Sequence, residues 1–249
     1  MRLKAQIPNL ITLLNLLSGC IAVVHAVQGN FVMAAIFVAL GIFFDFFDGL
    51  AARGLDVKSE MGLQLDSLAD MVTSGLVPGI VMFQLLIQAL PSQGALGEWN
   101  SGNDYLEWGF PWVACIGFLI TLGSAYRLAK FNIDDRQTDS FIGLPTPANA
   151  LLILSLPLIL VFQPQDWVVG IILNEWFLIG MSIFSAFILN AELPLFGLKF
   201  SNASFSQNKF RYFFLGLCLI LVIVLKFVAI PLIVLIYILL SIVRTRTNA

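Results

Sequence analysis

Eight apolar stretches account for most of the chain, at about residues 10–27, 31–52, 67–90, 110–129, 147–163, 174–191, 210–225 and 228–243. A membrane-crossing helix needs about 20 mainly apolar residues, in a range of about 17–25. The pattern therefore predicts an all-α integral membrane protein with about eight transmembrane helices. The last two stretches form one apolar run too long for a single crossing, with Lys226 near its middle. A lysine stranded in hydrocarbon is costly, and a tight turn that carries Lys226 to the membrane surface removes that cost. No soluble domain, coiled coil or internal repeat is visible. Residues 1–249 read as one membrane domain, with a core over about 1–200 and a C-terminal helix pair over 210–243.

Composition and charge agree with this reading. The chain is 59% hydrophobic and 11% charged, where soluble domains carry about 25% charged residues. A net charge of −2 without any basic run gives no reason to expect nucleic acid as a partner. The N-terminal MRLKAQIPNLIT could pass for the start of a signal peptide, but it reads better as a first membrane helix that is kept. Threading eight helices with the N-terminus in the cytoplasm puts 12 of the 13 Lys and Arg residues on the cytoplasmic side, with Lys226 outside. The positive-inside rule favours that threading. The outer loops then carry Glu98, Asp104, Glu107, Asp166 and Glu175, with Trp99, Trp108, Trp112, Trp167 and Trp176 in or beside them as interfacial anchors. Cys20, Cys115 and Cys218 lie in apolar segments without metal-ligand spacing and read as packing residues. The single histidine, His25, reads as structural or interfacial.

The informative polar residues sit where the second and third apolar stretches meet. They read D-x2-D-G-x2-A-R-x8-G-x3-D-x3-D: Asp45, Asp48, Gly49, Ala52, Arg53, Gly62, Asp66 and Asp70. Spacings of three and four put each pair of acids on one helix face, where like charges repel. Four carboxylates at the edge of a bilayer are costly unless neutralised. Arg53 and Lys58, the bases nearby in sequence, are too few to pair them off. A hard divalent cation is the usual partner of such an all-oxygen cluster, and a metal held there can hold a diphosphate. Gly49 and Ala52 leave room for a bulky ligand or for a neighbouring helix. Arg53 offers a fork suited to phosphate oxygens, and Gly62 begins the return toward the third helix. An acid-lined pore mouth is the alternative for the acids alone.

Position for position, these eight residues resemble the signature of the CDP-alcohol phosphotransferase family. Members of that family are integral membrane enzymes. They transfer a phosphatidyl or phospho-alcohol group from a CDP-activated donor to a hydroxyl acceptor and release CMP. The resemblance implies the CDP-alcohol phosphotransferase fold, with a catalytic core over about 1–200. It implies divalent metal, Mg²⁺ or Mn²⁺ and usually two ions, on Asp45, Asp48 and Asp66, with Asp70 close by and counted among the metal residues. It implies Asp70 as general base, Gly49 and Ala52 as the space for the cytidine nucleotide, Gly62 beside that nucleotide and its diphosphate, and Arg53 on phosphate. Homodimers are common in the family, and the resemblance extends that expectation here.

Two further segments bear on the acceptor. The first helix opens Ile7-Pro8-Asn9-Leu10-Ile11-Thr12-Leu13-Leu14-Asn15, and proline suits a first helical turn. Asn9 and Thr12 share a face and could reach a nucleotide, or could serve as caps and interhelical bonds. After the fourth stretch come Arg127, Lys130 and Asn132, then the Gly/Pro turn of Phe141–Ala150, GLPTP at its centre. Those cations suit either membrane topology or anion binding. Together the segments resemble the integral-membrane phosphatidylserine synthase branch. That implies CDP-diacylglycerol and L-serine as substrates, with phosphatidylserine and CMP as products. The serine carboxylate would be held by Arg127, with Lys130 and Asn132 as further candidates. The lipid tails would lie in the surrounding membrane lipid. A bacterial inner (cytoplasmic) membrane follows, with the active site and both termini cytoplasmic. Glycerol 3-phosphate or an inositol phosphate as acceptor is the nearest alternative. A cation transporter is a remote one, because transporter sites usually lie near the midplane between interrupted, repeated helices.

Overall fold

The computed structural model describes residues 3–57, 59–90, 111–133, 141–195 and 205–248. The expected loop at 91–109, with Trp99 and Trp108, lies outside the described residues, as do Arg2, Lys58, Arg136 and Lys199. The described residues form ten α-helices: α1 (Leu3–Val27), α2 (Phe31–Gly54), α3 (Glu60–Asp70), α4 (Val77–Ala89), α5 (Leu119–Ile133), α6 (Thr146–Phe162), α7 (Asp166–Ile172), α8 (Glu175–Asn190), α9 (Phe205–Leu225) and α10 (Ala229–Asn248). A π-helical segment, Met71–Leu76, joins α3 to α4 without a break, and a 3₁₀ turn, Ala114–Phe118, leads into α5. The described strands are the two-residue β1 (Phe141–Ile142) and β2 (Pro194–Leu195), paired antiparallel. The protein is an all-α integral membrane protein.

Among the described residues, five helical stretches are long and apolar enough to cross a membrane: Gln6–Val27, Phe31–Gly54, Glu60–Ala89, Ala114–Ile133 and Lys209–Val243. The pair α7 and α8, bent by 58°, makes a sixth if counted as one span. The 17-residue α6 is shorter. Eight crossings are reached only if α6 crosses and each limb of the last run crosses separately.

That last run folds back on itself. The rings of Phe214 and Tyr237 lie 5.8 Å apart between centroids, whereas 23 residues of straight helix span about 34 Å at ~1.5 Å per residue. The reversal falls at Lys226, whose φ of +51° is left-handed, within the 3₁₀ turn Lys226–Val228. Gln163, the C-cap of α6, clamps this turn: its Nε2 donates to the Leu225 carbonyl and its Oε1 accepts from the Phe227 N–H. Phe162 stacks on Phe227 at 5.1 Å. Lys226 therefore sits at the far end of the bundle from the start of α6.

Two helices begin well before the apolar pattern predicts. Helix α1 starts at Leu3, so Pro8 lies inside it instead of in its first turn. Helix α3 starts at Glu60, because the Ser59 side chain caps it by accepting from the Gly62 N–H at 3.0 Å. Such a cap contributes about 1 kcal/mol. Gly62 therefore belongs to the first turn of α3. Polar helix ends extend past the hydrocarbon, where an apolar window does not follow them.

The interior is built from α4 and α6. Met82, Leu85 and Leu86 are fully buried, and Ile153 and Leu154 of α6 belong to the same apolar cluster. Helix α1 is arranged inside out. Its polar Thr12, Asn15 and Ser18 are buried, and Leu10, Leu13 and Leu17 face outward, as suits a helix surrounded by lipid. Gly143 pins the α5–α6 connection to the end of α8. Its φ is +75°, a region that a side chain would strain, and a Cβ there would meet the Leu189 carbonyl. Its N–H donates to the Leu193 carbonyl, and the Leu144 N–H to that of Ile188.

The fold-back predicts sidedness. Cysteines introduced at Lys209 and Val243, in a background without the three native cysteines, will react with an impermeant maleimide from one side of the membrane. A cysteine at Lys226 will react only from the other. Labelling of 209 and 243 from opposite sides would mean one long span.

Candidate active site

The α2 and α3 ends that meet α1 on one side of the bundle carry the acidic residues. Asp45 and Asp48 lie on α2, one turn apart, and Asp66 and Asp70 on α3. Carboxylate oxygens of Asp45, Asp48 and Asp66 all lie within 4.8 Å of one another. Asp48 and Asp70 are buried, Asp45 and Asp66 partly so. Bringing three acids this close in a half-buried place is costly without a counter-charge. Asp66 Oδ1 is buried and has no hydrogen-bond partner. An orphaned carboxylate oxygen beside two further carboxylates, with hard oxygen donors only, fits a divalent cation.

Asp70 stands beside this trio. Its Oδ1 accepts from Asn15 Nδ2 at 3.2 Å, and Arg127 of α5 acts on it electrostatically. Arg127 is only 7% exposed, and its Nε has no hydrogen-bond partner. A buried guanidinium with an open donor can hold an anion.

A cavity of about 470 Å³ opens on the other side of the acids. Asn9 and Thr12 of α1, Asp48, Gly49 and Ala52 of α2, and Gly62 and Asp66 of α3 line it, with Pro8, Ser59 and Glu60 among the rest. The sequence-predicted nucleotide residues thus converge, Arg53 excepted. Its Nε folds back onto the Gly49 carbonyl at 2.9 Å on the exposed face. The Thr12 hydroxyl lies within reach of both Asp48 Oδ2 and the Pro8 carbonyl, and with one proton it donates to one at a time. Gly62 lets α1 approach α3: a Cβ there would sit 3.2 Å from Asn9 Oδ1.

The three expected acceptor residues are not brought together. Lys130 forms an exposed ion pair with Glu192 at 3.3 Å. Asn132 exchanges hydrogen bonds with Ser67, at 2.9 and 3.1 Å. Both contacts tie the end of α5 to its neighbours, and Arg127 alone turns inward. Two buried residues that sequence reasoning missed, Asn15 and Thr73, join the site through Asp70. Asn15 had a signal, since it continues the three-residue spacing of Asn9 and Thr12.

Comparison with known proteins decides the family. The family model for CDP-alcohol phosphatidyltransferase matches residues 5–188, which include all four acids, the cavity and Arg127. The chain belongs to the CDP-alcohol phosphatidyltransferase family. Among similar proteins, a CDP-diacylglycerol–serine O-phosphatidyltransferase of Bacillus subtilis is 34% identical over 151 residues, covering 60% of this chain and 75% of that protein. One of Helicobacter pylori (strain J99) is 31% identical over 149 residues, 59% of this chain and 55% of that protein. An archaetidylserine synthase of Methanothermobacter thermautotrophicus is 28% identical over 152 residues, 60% of this chain and 56% of that protein. The chain thus aligns with little more than half the length of the last two. CDP-alcohol phosphatidyltransferases use divalent metals, and Asp45, Asp48 and Asp66 can hold one. The hairpin of α9 and α10 falls outside the family match.

The trio predicts metal binding that is measurable without turnover. Mn²⁺ titrated into the purified protein will bind, and Asp66→Asn will weaken it by at least ~10-fold, the lower end of what disturbed metal sites lose. Unchanged Mn²⁺ affinity in Asp66→Asn would exclude this carboxylate as a ligand.

Proposed function

We propose that this chain transfers the phosphatidyl group of CDP-diacylglycerol to the hydroxyl of L-serine, giving phosphatidylserine and CMP. The observation that carries the choice of serine is Arg127: a buried guanidinium with an open Nε, facing Asp70. Serine is the acceptor that presents a carboxylate to such a fork while offering a hydroxyl to a base. The relatives named for serine transfer support the same choice.

In this reading the cavity of Asn9, Thr12, Gly49, Ala52 and Gly62 receives the cytidine nucleotide, with Arg53 at its outer edge. Asp45, Asp48 and Asp66 hold Mg²⁺ or Mn²⁺. When bound, the metal offsets the negative charge of the diphosphate and the charge that grows on the departing CMP. Asp70 accepts the proton of the serine hydroxyl as its oxygen attacks the phosphorus that bears diacylglycerol. The bond from that phosphorus to the bridging oxygen breaks, and its electron pair leaves with CMP. Arg127 holds the serine carboxylate, so the hydroxyl arrives oriented. The acyl chains stay in the bilayer.

Sidedness follows from the charges. Contacts between α3 and α5, α5 and α8, and β1 and β2 gather the ends that carry Arg53, Arg127 and Lys130 on the side of the acids. Lys226 lies at the opposite end. The positive-inside rule makes the acid side cytoplasmic.

Purified protein will release CMP from CDP-diacylglycerol with serine, lose that activity in excess chelator, and regain it with Mg²⁺ or Mn²⁺. Consumption of glycerol 3-phosphate instead of serine would overturn the acceptor. Asp70→Asn will lower kcat by ~10²-fold or more, as loss of a general base does, with CDP-diacylglycerol binding retained.

Arg127→Lys keeps the charge and loses the fork. It will raise the KM for serine by about tenfold, equivalent to ~1.4 kcal/mol, with little change in that for CDP-diacylglycerol. A rise confined to the lipid substrate would move Arg127 to the diphosphate.

A further inference from the structure

We infer that Asn15 and Thr73 form a positioning device that fixes the Asp70 carboxylate for proton transfer. The inference rests on the proposed role of Asp70 as the base.

The geometry is a chain of three buried side chains, from α1, the end of α3 and the π-helical segment that follows it. Thr73 Oγ1 donates to Asn15 Oδ1 at 2.8 Å, with the Asn15 backbone carbonyl also in reach at 3.2 Å. That bond fixes which way the amide faces: its oxygen turns to Thr73 and its Nδ2 to Asp70 Oδ1. Asn15 and Thr73 are fully buried and Asp70 nearly so, so no solvent competes for these groups. The amide bond to Oδ1 orients the Asp70 carboxylate.

The surrounding backbone is shaped around this chain. Thr73 lies in the π-helical segment Met71–Leu76, which begins at the residue after Asp70. The wider turn is an unusual conformation that recurs at functional sites. Two glycines clear the space. A Cβ at Gly41 would stand 2.6 Å from Thr73 Cγ2 and 2.8 Å from Asn15 Oδ1. One at Gly19 would collide with the Thr73 hydroxyl and stand 3.1 Å from the Thr73 backbone. Packing alone would not require a threonine and an asparagine here, because an apolar pair fills the same volume without needing partners.

The test is Thr73→Val, which keeps the shape and removes the hydroxyl, alongside Thr73→Ser and Asn15→Leu. Turnover is expressed per site that binds CDP-diacylglycerol, so misfolded protein does not enter. We expect Thr73→Val to lower kcat by ~10-fold and Asn15→Leu by up to ~10²-fold, the scale on which small misplacements of a reacting group act. KM for both substrates should stay within about twofold, and Thr73→Ser should recover most of the lost kcat. Placed in the Asp70→Asn background, Thr73→Val should lower the residual rate no further, because a device that acts through Asp70 has nothing left to position. Wild-type kcat per site in Thr73→Val and Asn15→Leu, with only a lower unfolding midpoint, would overturn the inference and leave Asp70 as base. Full turnover in Asp70→Asn would overturn both.

Discussion

The acid-bearing end of this fold follows from placing four carboxylates where α2 and α3 meet α1 and α5. Bulk water is scarce there and backbone groups are already used within the helices. The acids must therefore find donors and cations on neighbouring helices. Helix α1 supplies donors from Thr12 and Asn15, α5 supplies Arg127, and the Asp45, Asp48 and Asp66 trio is left with room for a cation. The inverted character of α1, polar inward and apolar outward, is a consequence of this demand. A helix with those polar residues turned to lipid would pay for every one of them.

The rest of the bundle holds these ends in register. Apolar α4 and α6 occupy the centre, and the acid-bearing end is laced by polar contacts: Lys130 to Glu192, Asn132 to Ser67, and Gly143 against the end of α8. The exposed ion pair contributes little by itself, about 0–1 kcal/mol. Its value is geometric, because it fixes the end of α5 one turn beyond Arg127. The α9–α10 hairpin stands apart, with Leu219, Ile220, Ile223 and Val224 exposed to the surroundings. It packs against the bundle through α6, β2 and the last turns of α8.

Much of this was legible in the chain. The apolar runs located the helices, and Lys226 marked the fold-back because a charge in mid-membrane demands an exit. The spacing of the acids placed them on helix faces, and their family signature told which cavity residues would converge. Helix starts were not legible, since Leu3 and Glu60 lie in polar sequence beyond the hydrocarbon. The partners of Lys130 and Asn132 depend on α8 and α3, which are distant in sequence. Thr73 was hidden for another reason. A π-helical turn departs from the period of 3.6 residues, so the side on which Thr73 emerges cannot be read from helical spacing.

The two sides of the acid cluster correspond to the two partners in the proposed reaction. The cavity lies between α1, α2 and α3 and touches Asp48 and Asp66. Asp70, Asn15 and Arg127 do not line it. They are linked to one another instead, by a hydrogen bond and by charge. In-line displacement at phosphorus requires the attacking and departing oxygens on opposite sides. A nucleotide seated in the cavity puts the departing oxygen there, and the incoming hydroxyl must then come from elsewhere. The Asp70–Arg127 side offers the proposed reaction both a carboxylate to take a proton and a cation to hold an anion. In the proposed reaction the acids would stand between donor and acceptor. That explains why they are partly buried, why the signature spans two helices, and why its last aspartate is supported differently from the first three.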